Sequence, residues 1–172
     1  MKRVVVTGMG IVSSIGNNVD EVTASLRDAR SGISFAEEYK ELGFRSHVHG
    51  KPTLDPTTIL DRRAMRFHGG GTAWNHIAMD QAIADAGLEA ADISNERTGI
   101  IMGSGGASTQ TIVQAAGTAR EKGPKRIGPT AVPKAMSSTA SATLATWLKI
   151  KGANYSISSA CSTSSHCIGN AY

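Results

Sequence analysis

A chain of 172 residues, 40% hydrophobic and 19% charged, is long and apolar enough for one domain with a real core, which excludes wholesale disorder. Eighteen Lys and Arg against fourteen Asp and Glu leave a formal charge of +4, while aromatics, at 5%, are too few to suggest base stacking and a nucleic-acid partner. No apolar run nears the roughly 18 residues of a membrane span, and Gly8 and Gly10 arrive too early for a signal-peptide core; the expectation is a soluble, cytoplasmic chain with no membrane or nucleic-acid partner.

In chain order, Val4-Val5-Val6-Thr7 predicts a buried strand breaking into the glycine turn Gly8-Met9-Gly10. Asn18 with Glu21 three residues on predicts a capped helix that buries Val19, Val22, Leu26 and Ala29 and stops at Ser31-Gly32. Residues 33–60 lack a clean period and contain Pro52 and Pro56, so they read as loop or edge. Ile77, Ala78, Ala82 and Ile83 recur at helical spacing from Trp74 to Gly87. A second strand follows at 99–103, and a helix through Ile112, Val113 and Ala116 closes at Gly123-Pro124. A small-residue helix runs from Met136 through Ala140 and Leu144 to Trp147-Leu148, with Lys149 and Lys151 at its C-terminal end. A third strand at 155–158 ends in Ser159-Ala160-Cys161 and a Ser/Ala-rich helix. Strands alternating with helices predict an α/β fold with about three parallel strands and covering helices.

Cys161 stands at the strand-to-helix turn, six residues before Cys167, so the pair is no disulfide framework. A helix N-terminus favours a thiolate, and its free N–H groups can bind the oxyanion formed when that thiolate attacks a thioester. On the residues alone, a buried structural cysteine is an equal reading. Beyond Glu121 the chain has no Asp or Glu side chain, so no carboxylate there can serve as base or metal ligand.

The segment from Tyr155 to Ala171, with its Ser-Ser-Ala-Cys and His-Cys-Ile-Gly-Asn-Ala elements, resembles the nucleophile region of the type I β-ketoacyl-acyl-carrier-protein synthases of fatty-acid biosynthesis. The opening Arg3 to Asn18, Asp61-Arg62-Arg63, the stretch Gln81 to Leu88, Gly103-Ser104-Gly105-Gly106 and Lys134-Ala135-Met136 are similar to the same family, in order along the chain. The resemblance implies a thiolase-like layered α/β/α fold, of which residues 1–172 would be the N-terminal half. It implies Cys161 as the nucleophile that takes the acyl chain, Gly106 and Met136 near the acyl pocket, and Arg63 and Arg66 docking an acidic acyl carrier protein. Lys125 and Arg126 are further docking candidates, with a solvated surface as their plain alternative. It implies no metal and no organic cofactor beyond the phosphopantetheine carried by the partner, and a homodimer for the full-length enzyme.

The family's two histidines and lysine for malonyl decarboxylation match nothing in this sequence. His166 and Cys167, five and six residues past Cys161, do not face it on a helix and read as packing residues. The expectation is therefore a ketosynthase half whose condensing residues come from a C-terminal half; an alternative is a fragment that only binds carrier protein or accepts an acyl group. Such a half is expected to expose apolar faces and to be poorly soluble or to depend on a partner for folding. A weaker alternative is a Rossmann-type oxidoreductase at Thr7-Gly8-Met9-Gly10-Ile11-Val12-Ser13, where Ser13 replaces the third glycine of that fingerprint. His68-Gly69-Gly70-Gly71 resembles a lipase oxyanion loop without the accompanying Gly-x-Ser-x-Gly elbow, and departs from the family here. His47, His49, His68, His76 and Cys167 fit no standard zinc spacing.

Overall fold

A computed structural model describes residues 3–172. The organising element is a parallel strand pair, β3 (Ile100–Gly103) and β4 (Asn154–Ile157), in register Ile100 with Asn154 through Gly103 with Ile157. Side chains alternate across a strand. Ile100 and Met102 therefore share one face, where α7 (Thr139–Trp147) packs Leu144 and Ala145 against Ile100. Ser156 lies on that same face and its hydroxyl bonds Ser141 of α7. Tyr155 points the other way and donates its hydroxyl to Asn170 Oδ1 of α8 (Thr163–Ala171) at 3.5 Å. One helix on each face makes a three-layer α/β/α arrangement, as the alternation of elements predicts.

The run of small residues in α7 serves its burial: Thr139, Ala140, Ser141, Leu144 and Ala145 are all buried. The central helix α3 (Gly70–Asp85) joins two cores. Ala73 and Ile77 pack with Leu60 and Ala64, while Met79 reaches the Ile100–Leu144 cluster. A separate antiparallel ribbon, β1 (Ile33–Phe35) with β2 (Val48–Gly50), brackets the short α2 (Glu37–Glu41) inside the stretch that reads as loop or edge in sequence.

Several expectations are corrected. The Val4–Val6 run is no strand: among the described residues the parallel sheet has two strands, and Val6 is 81% exposed. The chain that follows lies across α3, where side chains take its amides: Met9 N–H donates to Asp85 Oδ2 (2.9 Å) and Ile11 N–H to Gln81 Oε1 (3.0 Å). A Cβ at Gly10 would collide with the Ala78 carbonyl, so this glycine lets backbone meet helix. The glycines of the dinucleotide-like motif are thus taken up by packing, with no preceding strand, and the Rossmann reading falls.

Helix α1 (Val19–Arg27) is capped as expected, Asn18 Oδ1 accepting Glu21 N–H at 2.9 Å, but the Glu21 carboxylate accepts from Asn17 N–H and the Asn18 side-chain amide rather than from Asn18 N–H. It ends at Asp28, before Ser31-Gly32, because Ala29 turns to φ +52. Ser25 is its buried residue, donating to the Ile15 carbonyl at 2.6 Å, whereas Leu26 is exposed. Beyond the short α4 (Ala90–Ile93), helix α5 (Thr109–Lys122) closes at Gly123 as predicted, with Ile112 and Val113 exposed. Met136 caps α6 (Ala131–Ala135) instead of opening α7. Gly69 has a physical role that composition did not suggest: a Cβ there would strike the Lys134 carbonyl, so α6 can pass directly over the start of α3.

Candidate active site

Strand β4 delivers the chain into Ser158-Ser159, a 3-10 turn at Ala160–Ser162, and then α8. The turn is bent at Ala160, whose φ of +46 is rare for a residue with a Cβ and costs on the order of 1–3 kcal/mol. Buried Thr163 holds it: its Oγ1 donates to the Ala160 carbonyl and accepts the Ser159 N–H, both at 2.8 Å. Ser162 N–H donates to the Ser159 carbonyl at 3.0 Å. The loop after β3 closes against the same turn, with Ser158 Oγ donating to the Ser104 carbonyl at 2.9 Å. A Cβ on Gly105 would lie 2.8 Å from the Ala160 carbonyl oxygen.

The product of this bending is an exposed thiol. Cys161 projects to the surface just ahead of α8, while Cys167, within α8, is buried. No acceptor takes the Cys161 N–H among the described hydrogen bonds, leaving it beside the sulfur as a donor for an incoming oxygen. Ser159 N–H is already used by Thr163. His166 is exposed on α8, so it is not the packing residue its position suggests.

Gly106 lies on the Cys161 side, in the loop where Ser104 Oγ donates to the Gly106 carbonyl at 2.8 Å. Met136 instead lines a cavity of about 710 Å³ between α3, α7 and the 3-10 turn Ala64–Phe67. Arg63 and Arg66 flank that cavity, and Arg66 stacks over Phe67 at 5.3 Å. The described residues therefore do not bring Gly106 and Met136 to one cavity. Lys125 and Arg126 are exposed in the short 3-10 turn Pro124–Arg126 beyond α5, outside the cavity of the other two arginines.

The cavity also holds a pair that sequence spacing did not reveal: His68 and His76, with ring nitrogens 3.0 Å apart and Trp147 edge-on to His76. Eight residues of separation fits no metal or catalytic motif, and only the placement of His68 before α3 makes the two rings meet. Among the described residues no group of three His, Cys, Asp or Glu side chains could hold a metal. No described helix is long and apolar enough to cross a membrane.

A parallel pair between helical layers, ending in a strained turn that lifts a thiol, defines a thiolase-like α/β protein. The chain belongs to the β-ketoacyl synthase family, whose N-terminal domain matches residues 1–172. It is 56% identical to 3-oxoacyl-acyl-carrier-protein synthase 1 of Escherichia coli over 173 aligned positions, covering 99% of this chain and 43% of that protein. A β-ketoacyl synthase from Burkholderia phymatum superimposes with a TM-score of 0.84 at 28% identity, covering all of this chain and 43% of the other. A type II polyketide ketosynthase, solved in complex with its acyl-carrier protein, superimposes with a TM-score of 0.76 at 19% identity, covering 99% of this chain and 46% of the other. The chain thus spans less than half the length of these relatives.

Proposed function

We propose that this chain carries the acyl-accepting half of a β-ketoacyl-acyl-carrier-protein synthase of fatty-acid biosynthesis, with Cys161 as its nucleophile. The observation that carries the reading is the exposed Cys161 thiol in a strained turn, beside its own uncommitted N–H. In the first step the Cys161 thiolate attacks the thioester carbonyl of an acyl carrier protein. The Cys161 N–H donates to the oxyanion, and the carrier's pantetheine leaves as a thiolate, taking its proton from water, as the new acyl–Cys161 thioester forms. In the second step malonyl-carrier protein loses carbon dioxide, and the resulting carbanion attacks the acyl–Cys161 carbonyl. The Cys161 thiolate is expelled and β-ketoacyl-carrier protein departs. Splitting one hard transfer into two gives ping-pong kinetics.

Decarboxylation is assigned to the two histidines and lysine of the family, which match no residue of this sequence. The carrier protein is the proposed partner, docking on Arg63 and Arg66 with Lys125 and Arg126 as outlying contacts; the carrier complex of the polyketide relative supports that partnership by likeness of fold. Gly106 and Met136 are assigned to the acyl path. The reading includes a cytoplasmic homodimer that needs no metal and no cofactor of its own.

Radiolabelled acyl-carrier protein followed by malonyl-carrier protein tests the assignment. Label on Cys161, absent in Cys161→Ala, is the expected first result; failure to label Cys161 overturns the reading. Ketoacyl product from this chain alone would overturn the placement of decarboxylation outside it. Label without product matches both the acyl-accepting half and the fragment that only accepts; ketoacyl product on addition of a family C-terminal half carrying the two histidines and lysine separates them.

A further inference from the structure

We propose that His68 and His76 form a buried proton-holding latch, both rings protonated on Nδ1 when neutral, that binds one proton at His76 without breaking and is severed by a second. The polarity of the latch follows from its fixed end. The Gly69 carbonyl can only accept, and Thr72 Oγ1 donates to it at 2.9 Å, which uses the single hydroxyl proton. The 3.2 Å contact between Thr72 Oγ1 and His68 Nδ1 therefore needs a ring N–H. Neutral His68 then bears its lone pair on Nε2, 3.0 Å from His76 Nδ1, which must carry the next hydrogen. The chain ends at His76 Nε2, a bare lone pair on a side chain only 1% exposed, with no hydrogen-bond partner.

That nitrogen lies 3.7 Å from Asp80 Oδ2, one helical turn further along α3. A buried lone pair facing a carboxylate is an unfavourable arrangement that one proton resolves. A proton on His76 Nε2 pairs with Asp80 and leaves every upstream bond intact, because His76 Nδ1 still donates to His68. A second proton has only His68 Nε2 to occupy, and it would set two N–H groups against each other. The latch then opens where Trp147 of α7 packs edge-on to His76, at 5.2 Å between ring centroids.

The surrounding charges favour that order. Burial lowers the His76 pKa, and Asp80 on α3 and Asp61, ahead of the 3-10 turn, partly offset it by favouring the charged form. His68 has no such help: burial, the His76 ring and Lys134 of α6 lower its pKa to about 4. Arg63 and Arg66 on one wall of the cavity and Lys149 beyond α7 add positive charge on the same side. The latch thus tolerates mild acid and opens only near pH 4.

Nitrogen-15 spectra of the histidine rings of the intact protein, selectively labelled and titrated from pH 8 to pH 3.5, test this. His47, His49 and His166 are assigned by single substitution. The expected result is two neutral rings carrying hydrogen on Nδ1 at pH 8, the minority tautomer of free histidine. His76 Nε2 then takes the first proton and His68 responds only near pH 4. A ring with hydrogen on Nε2 at pH 8, or His68 titrating before His76, overturns the proposal. Asp80 is half-exposed, so Asp80→Asn can fold normally. It should move the His76 midpoint to lower pH and leave His68 in place; an unmoved His76 midpoint would remove Asp80 from the latch and overturn the order of protonation.

Discussion

Ser158 donates its hydroxyl to the Ser104 carbonyl at 2.9 Å, and this bond ties the loop after β4 to the loop after β3. The first loop leads into the Cys161 turn, and the second carries Gly105 and Gly106. Replacing Ser158 by Ala removes a bond near the surface, so stability should fall by only about 1 kcal/mol. Acylation of Cys161 should slow more than that, because the turn loses its link to the sheet's other strand. Thermal unfolding measured beside the rate of thioester formation checks the split. Equal loss in both, or unchanged acylation, would show that the link does not position the thiol.

Gly105 is a sharper test of the same closure. A methyl group there must displace the Ala160 carbonyl, 2.8 Å away, which is backbone and cannot swing aside. Gly105→Ala should cost about 1–3 kcal/mol of stability and slow acylation. Gly106→Ala meets open space, so it should leave stability within about 0.5 kcal/mol and serves as the neighbouring control. Urea denaturation of the two variants distinguishes crowding from a general intolerance of side chains in this loop.

The sequence was most legible where local chemistry and tertiary structure agree. Asn18, Gly123 and the apolar run at Ile100 each mark an element the structure contains, because a cap, a left-handed stop and a buried strand act within a few residues. Val4–Val6 misled because β-branched residues report a preference for extended chain and not the presence of a neighbouring strand. The site divides in the same way. Cys161 stands out as a candidate through the resemblance, its turn alone fitting a structural cysteine equally, whereas the Ala160 strain, the Ser104–Ser158 bond and the His68–His76 contact depend on tertiary placement. No spacing along the chain encodes those contacts.

Leu144 of α7 is fully buried against β3, packed with Ile100 and Ala145 and near Met79 and Met102. Leu144→Ala leaves a cavity in the layer that supports β4, and should cost about 2–5 kcal/mol. Leu144→Met, similar in volume, should cost less than about 1.5 kcal/mol. Chemical denaturation measures both. Comparable losses for the two variants would mean that this interface is not close-packed, and that the sheet rests on other contacts.

The histidine pair gives stability a pH dependence whose sign is opposite to that of a histidine paired with an acid. His68 has a pKa of about 4 in the folded chain against 6.5 when unfolded, chiefly through burial. Above pH 6.5 it is neutral in both states and contributes nothing. Between 6.5 and 4 the unfolded chain binds a proton that the folded chain refuses, so stability falls as pH falls through that window. His76, also lowered by burial, acts in the same direction. Asp80, whose pKa is raised by burial, acts in the opposite sense, holding its proton more tightly when folded than when unfolded. Urea midpoints at pH 7.5 and pH 5.0 should show the decline, and His68→Gln, which cannot titrate, should flatten it. A wild-type midpoint that held steady or rose on acidification would mean that His68 accepts a proton in the folded state as readily as in the unfolded chain.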